Sequence, residues 1–100
     1  MMTFTVDAQH IGHLVFDRDD QAMNLMDLAF TTDFAATAAV IKDTPNLRGV
    51  IMRSGKPTFF AGGDLVSLSQ VTDATADALF DQVESLKNSM RQIETLGIPV

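Results

Sequence analysis

The chain has 100 residues and a formal net charge of −6, from 7 basic and 13 acidic residues. It is long enough for one small domain and no more, and its acidic balance argues against nonspecific nucleic-acid binding, which needs a basic face. With 46% apolar and 20% charged residues it has an ordinary globular composition rather than a disordered one, and no apolar run approaches the roughly 20 residues that span a bilayer.

The first residues, Met1 to Asp7, lack the basic region and long apolar core of a secretory signal. Residues 4–8 alternate apolar and polar, which predicts a half-buried strand. Gln9-His10 is the expected turn and residues 11–16 a second strand, so the two form an antiparallel hairpin. His10 and His13 do not have metal-ligand spacing on a strand and read as surface or sheet-face residues. Residues 17–21 are polar and turn-prone. Residues 22–26, Ala-Met-Asn-Leu-Met, are unusually apolar for a loop; they either tuck under the following helix or line a pocket with their backbone, and spacing does not choose between the two.

Asp27 is placed to cap a helix running to about residue 42, with Phe30, Phe34, Ala38 and Ile41 forming one apolar stripe. Pro45 cannot continue that helix and pushes Thr44 out of helical angles. Residues 47–54 read as the best strand, and the continuous apolar run Val50-Ile51-Met52 is what a strand covered on both faces shows. Strand, helix and strand at this spacing predict a right-handed βαβ unit. After a loop at residues 54–57 comes Phe59-Phe60-Ala61-Gly62-Gly63-Asp64-Leu65.

In this stretch two aromatics end an extended segment, small residues follow, and an acid opens a helix. Gly62 and Gly63 let a ligand approach the backbone closely, and Asp64 is a good N-cap. The unpaired N–H groups and positive dipole end at such a helix start suit an oxygen that develops negative charge. An ordinary strand–turn–helix joint would use the same residues. A short helix is expected from 64 to about 71, a break at 72–74, and a long helix from about 75 to 96. Leu79, Val83, Leu86, Met90 and Ile93 repeat at helical spacing along it, and Leu86 and Met90 are expected to be buried. Gly97 fits the C′ position with Pro99 beyond it. Ile98-Pro99-Val100 reads as the start of another strand, with the polypeptide cut off there.

Cysteine is absent, so disulfides and thiolate–metal sites are ruled out, and a cytoplasmic location fits. There is no Cys–His pair, HExxH, GxSxG, P-loop or G-x-G-x-x-G fingerprint. Ser54 and Ser67 lack a base nearby in sequence. The acids Asp64, Asp73, Asp77, Asp81, Glu84 and Glu94 fit caps or solvated helix faces. No metal site is expected. What remains is a backbone-donor site at Gly62-Gly63.

Phe60-Ala61-Gly62-Gly63-Asp64-Leu65 resembles the F-x-A-G-[AG]-D-[LI] motif of the crotonase (enoyl-CoA hydratase/isomerase) superfamily. Ala22-Met23-Asn24 resembles that family's A-x-N loop, Leu47-Arg48-Gly49-Val50-Ile51 resembles the strand that follows its first helix, and Leu96-Gly97-Ile98-Pro99-Val100 resembles the lead into the strand with its second glycine motif. The likeness spans essentially the whole chain and is strongest to the N-terminal hydratase part of multifunctional fatty-acid oxidation alpha subunits.

The resemblance implies an α/β fold, the N-terminal part of a crotonase-like spiral of ββα turns, truncated within a single domain that residues 1–100 begin. It implies that the Gly63 N–H is one of two donors holding the thioester oxygen of an acyl-CoA substrate, with Ala22, Met23, Ala61, Gly62, Asp64 and Leu65 lining the substrate site. The second donor and the two glutamates that handle water in hydratases would lie beyond Val100. No cofactor is implied apart from coenzyme A as part of the substrate, and the assembly would be a trimer, a hexamer or a complex with a thiolase subunit. Val66 stands where many relatives have a lysine near the CoA phosphates and Gln21 where many have one before the A-x-N loop, which leaves Arg53 and Lys56 as the nearest basic substitutes, though each reads first as a solvated loop charge. An isomerase, a thioester hydrolase or a non-catalytic ββα assembly module would share what these residues show.

Overall fold

The computed structural model describes residues 2–19, 24–60, 72 and 75–100. Its elements are β1 (Met2–Val6), β2 (Ile11–Phe16), α1 (Leu28–Asp43), β3 (Gly49–Ser54) and α2 (Ala76–Glu94). The short helix expected from residue 64 lies outside the described residues.

The hairpin forms as the pattern predicts, with β1 antiparallel to β2 and Phe4 opposite Leu14. β1 nevertheless stops at Val6, before the expected end at residue 8, because Asp7 turns the chain. One carboxylate oxygen, Oδ1, accepts the N–H groups of Gln9 at 2.8 Å and Ile11 at 3.0 Å. His10 completes the turn in the left-handed region at φ 64°, a conformation that costs little at an exposed turn position held on both sides.

β3 pairs parallel to β2, from Ile11 opposite Gly49 to Phe16 opposite Ser54, giving a sheet of order β1-β2-β3. A parallel pair needs a crossover, and α1 supplies it. The helix starts where its cap predicts: Asp27 Oδ1 accepts the Phe30 N–H at 2.9 Å. It ends at Asp43, where the Thr44 N–H reaches the Ile41 carbonyl and ψ of Thr44 opens to 119° ahead of Pro45. The stripe Phe30, Phe34, Ala38 and Ile41 is buried in full, and it meets Leu14, Phe16 and Val50 from the sheet and Ile93 from α2 in one core. Period-two alternation on β2 sends Gly12, Leu14 and Phe16 into this core. Gly12 is there for space, since a Cβ on it would fall 2.6 Å from the Phe4 ring.

Two burial expectations are corrected. Val50-Ile51-Met52 does not mark a strand covered on both faces: Val50 is buried but Ile51 is 49% exposed, because it shares the outer sheet face with the exposed Arg53 while the helices lie on the other face. On α2, Ile93 is buried and Leu86 half-buried against the core, but Met90 is 48% exposed. Met90 borders an open apolar recess of ≈ 120 Å³ that it shares with Phe34, Met52, Ile93, Glu94 and Val100. Leu86→Ala is therefore expected to cost roughly 1–2 kcal/mol in chemical denaturation, about half the range for a fully buried leucine; a cost above about 3 kcal/mol would show that its face is more tightly covered than this packing implies.

α2 ends at Glu94, two residues before the expected end, with Thr95 as its cap and Gly97 one place beyond C′. The Thr95 and Leu96 N–H groups fold back onto Arg91 and Ile93, and Gly97 lies at φ +81°, where only glycine is unstrained. The chain then runs beside β3, and the Val50 N–H donates to the Pro99 carbonyl at 2.9 Å. No helix among the described residues is long and apolar enough to cross a membrane.

Candidate functional site

The residues expected to form the site, Ala22, Met23, Ala61, Gly62, Gly63, Asp64 and Leu65, all lie outside the described residues. Their immediate neighbours are described, and these meet. Asn24 follows the first stretch and Phe59-Phe60 precede the second, and Asn24 Nδ2 donates to the Phe59 carbonyl at 3.0 Å.

Asn24 is 1% exposed. Its Nδ2 also donates to the Phe16 carbonyl at 3.1 Å and to Ser54 Oγ at 2.9 Å, and its Oδ1 accepts the Arg18 N–H at 3.3 Å. Two amide hydrogens thus serve three acceptors, so at least one is shared. The acceptors belong to three separate segments: the end of β2, the end of β3 and the approach to residue 61. Ser54 extends this polar knot. Its hydroxyl donates to the Thr58 carbonyl at 2.6 Å and accepts the Lys56 N–H at 3.0 Å. The consecutive carbonyls of Thr58 and Phe59 are therefore held by two side chains that touch each other.

Arg18 closes the knot from below. It is 4% exposed, and its Nη1 donates to the Leu25 carbonyl at 3.2 Å and pairs with Asp27 Oδ2 at 2.9 Å. Asp27 thus caps α1 with one oxygen and neutralises a buried guanidinium with the other. Burying a charge is unfavourable unless it is paired and hydrogen-bonded, and both conditions are met. Among the described residues no buried side-chain polar atom lacks a partner. Of the apolar loop, Asn24 is buried and Met26 packs on the core.

An aromatic cluster fixes the other side of the same approach. The Phe16 ring lies 5.7 Å from Phe59 at 88° and 5.1 Å from Phe60 at 62°, and Phe60 meets Phe30 edge-on at 5.1 Å. Edge-to-face pairs at such distances are attractive beyond the area that they bury. The segment entering residue 61 is thus seated on a core ring below and tied by Asn24 and Ser54 at its backbone.

The charges proposed as substitutes near a phosphate divide. Lys56 is not a solvated loop charge: its Nζ pairs with Asp17 Oδ1 at 2.9 Å and its side chain is only 13% exposed. Arg53 is exposed on the outer sheet face. At the far end of the hairpin His13 Nε2 lies 2.9 Å from Asp7 Oδ2. That bond, foremost, together with the Ile11 N–H holds the Asp7 carboxyl below its ordinary 3.8. A carboxyl depressed on folding contributes stability above its ordinary pKa and loses it as pH falls through the folded value. His13→Ala is accordingly expected to move the Asp7 NMR titration midpoint upward; an unmoved midpoint would show that His13 does not hold it.

Sequence reading quoted Asn24 in the A-x-N resemblance without counting it among the site residues, and it missed Arg18 and Ser54. Arg18 sits in an acidic turn that looks solvated, and Ser54 opens a loop. A physical signal for Asn24 was a lone amide in an otherwise apolar loop, which must find partners if that loop is buried.

No protein-family model matches the chain. Among curated proteins it is 34% identical over 97 residues to the fatty acid oxidation complex subunit alpha of Vibrio campbellii, covering 95% of this chain and 13% of that protein. The Acinetobacter baumannii protein of the same name is 26% identical over 98 residues, with 98% and 14% covered. The chain thus spans 13–14% of the length of these relatives, at their N-terminal part. Among solved structures, enoyl-CoA hydratase from Bacillus anthracis superposes with a TM-score of 0.76 at 23% identity, over 99% of this chain and 37% of that one. A Legionella pneumophila protein described as an enoyl-CoA hydratase/isomerase (crotonase) gives 0.78 at 20% identity, over 98% and 37%. The fold is that of the N-terminal part of crotonases.

Proposed function

We propose that this chain supplies the first part of an enoyl-CoA hydratase domain acting in fatty-acid oxidation, with the Gly63 N–H as one oxyanion donor. The observation that carries this reading is the bond from Asn24 to the Phe59 carbonyl. It brings the neighbours of Ala22-Met23 and of Ala61-Gly62-Gly63-Asp64-Leu65 together, which a site built from both stretches requires. The similarity to fatty acid oxidation complex alpha subunits and the crotonase-type fold support it.

Addition of water to a 2-enoyl thioester places negative charge on the carbonyl oxygen as the new C–O bond forms. A preorganised N–H at a glycine turn stabilises that charge without having to reorganise. Ala22, Met23, Ala61, Gly62, Asp64 and Leu65 would surround the acyl-CoA. The second donor and the two glutamates that deliver water and proton would come from sequence outside these residues. With Lys56 held by Asp17, the CoA phosphates would draw on Arg53 or on groups outside the chain. The assembly would be a homo-oligomer or a complex with a thiolase subunit, in line with relatives named as subunits of a complex.

The test is hydration of crotonyl-CoA by the natural full-length polypeptide, followed as loss of the conjugated thioester chromophore. Turnover is expected; double-bond migration or thioester cleavage without hydration would replace the hydratase reading with an isomerase or a hydrolase. Residues 1–100 alone are expected to give no turnover, and measurable hydration by them would overturn the placement of the glutamates elsewhere.

A further inference from the structure

We propose that Asn24, acting with Ser54, is a positioning residue that fixes Thr58 and Phe59, on the approach to residue 61, against the ends of β2 and β3. This rests on the hydratase reading, because the approach so fixed leads into the stretch to which that reading gives the oxyanion donor. The path from β3 to residue 61 runs through residues 55–60, which form neither helix nor strand. Regular backbone pairing therefore does not fix where this path ends. Its two consecutive carbonyls at Thr58 and Phe59 are instead gripped by Ser54 Oγ at 2.6 Å and Asn24 Nδ2 at 3.0 Å. Asn24 is joined to Ser54 directly at 2.9 Å and anchored to β2 through the Phe16 carbonyl at 3.1 Å. One buried amide thus references the approach to residue 61 against both strands, while its own backbone continues residues 22–23. Lys56, Asp17 and Arg18 are occupied elsewhere in the same region and do not duplicate the grip on Phe59.

A donor to a developing oxyanion must be held to within about 0.5 Å of its productive place, and a misplacement of about 1 Å costs on the order of 10²-fold in rate. Loss of the Asn24 amide leaves the Phe59 carbonyl without that donor while the aromatic seat of Phe59 and Phe60 persists. The stretch is expected to stay folded but to be placed less accurately.

The experiment compares Asn24→Ala, Ser54→Ala and Ser54→Thr in the natural full-length polypeptide, assayed with crotonyl-CoA well below each variant's melting temperature, beside wild type and Gly63→Pro. Asn24→Ala is expected to lower kcat about 10- to 100-fold with KM changed less than about threefold, as for a group that acts on the transition state alone. Ser54→Ala is expected to show a smaller loss of the same kind, and Ser54→Thr, which keeps the hydroxyl, to restore it. A lowered melting temperature with kcat within twofold of wild type in both alanine variants would make the knot merely structural and overturn the proposal. If Asn24→Ala does not fold, the Ser54 pair decides by the same criterion. Active wild type and impaired Gly63→Pro alongside unimpaired Asn24→Ala would overturn this inference and leave the hydratase reading standing. Inactive wild type overturns the reading and the inference with it.

Discussion

Gly63→Pro is expected to lower kcat for enoyl-CoA hydration in the natural full-length polypeptide by about two to three orders of magnitude, and far more than it raises KM. Proline removes the backbone N–H outright and locks φ. Removal of one oxyanion-hole donor costs about 10²–10³ in kcat where the donor acts on charge that develops only in the transition state. The kcat-against-KM split matters because a donor that merely gripped the ground-state thioester would raise KM instead. Gly63→Ala is the control. It keeps the N–H, and Ala occurs at this place in the motif that the stretch resembles, so activity should largely survive. Circular dichroism of both variants is needed, since proline can also disturb a turn. A folded Gly63→Pro variant with near-normal kcat would reduce Gly63 to a turn residue.

The features that were legible in sequence are those set by local chemistry. Asp27 could be identified as a cap because a carboxylate just before an apolar stripe has few better uses, and Phe30, Phe34, Ala38 and Ile41 could be assigned to the core because their spacing leaves one face. Gly97 could be placed because it ends a periodic run with Pro99 two residues on. What failed depended on neighbours. Whether Ile51 is covered depends on what lies on the outer sheet face, and whether Met90 is buried depends on how α2 tilts over Phe34 and Met52; neither is encoded in the periodicity of its own element. The end of β1 moved because a side chain, Asp7, competed for the backbone N–H groups of the turn. At the candidate site, the glycine stretch and the loop at 22–24 could be singled out separately. That their described neighbours meet could not, because the contacts run from Asn24 to Ser54 and to Phe59, 30 and 35 positions on, and no local pattern reports a contact of that range.

The largest loss of stability is expected from Phe16→Ala, at about 3–5 kcal/mol in chemical denaturation. Phe16 ends β2 and is 3% exposed. Its ring meets Phe30 at 5.9 Å, Phe34 at 6.1 Å, Phe59 at 5.7 Å and Phe60 at 5.1 Å. Truncation removes the transfer free energy of a buried ring, leaves a cavity among four others, and forfeits aromatic pairs worth about 0.5–1.5 kcal/mol each. Against a total stability of roughly 5–15 kcal/mol for a typical domain, one substitution would consume a large share. Phe16→Leu should cost clearly less, because it keeps most of the volume. The same ring seats Phe59 and Phe60, so core and candidate site are joined here. A double-mutant cycle between Phe16→Leu and Phe60→Leu is expected to show coupling above about 0.5 kcal/mol, as contacting residues do. Additive effects would mean that Phe60 is held by Phe30 and by its own backbone rather than by Phe16, and a cost below about 1 kcal/mol for Phe16→Ala would remove Phe16 from the centre of this core.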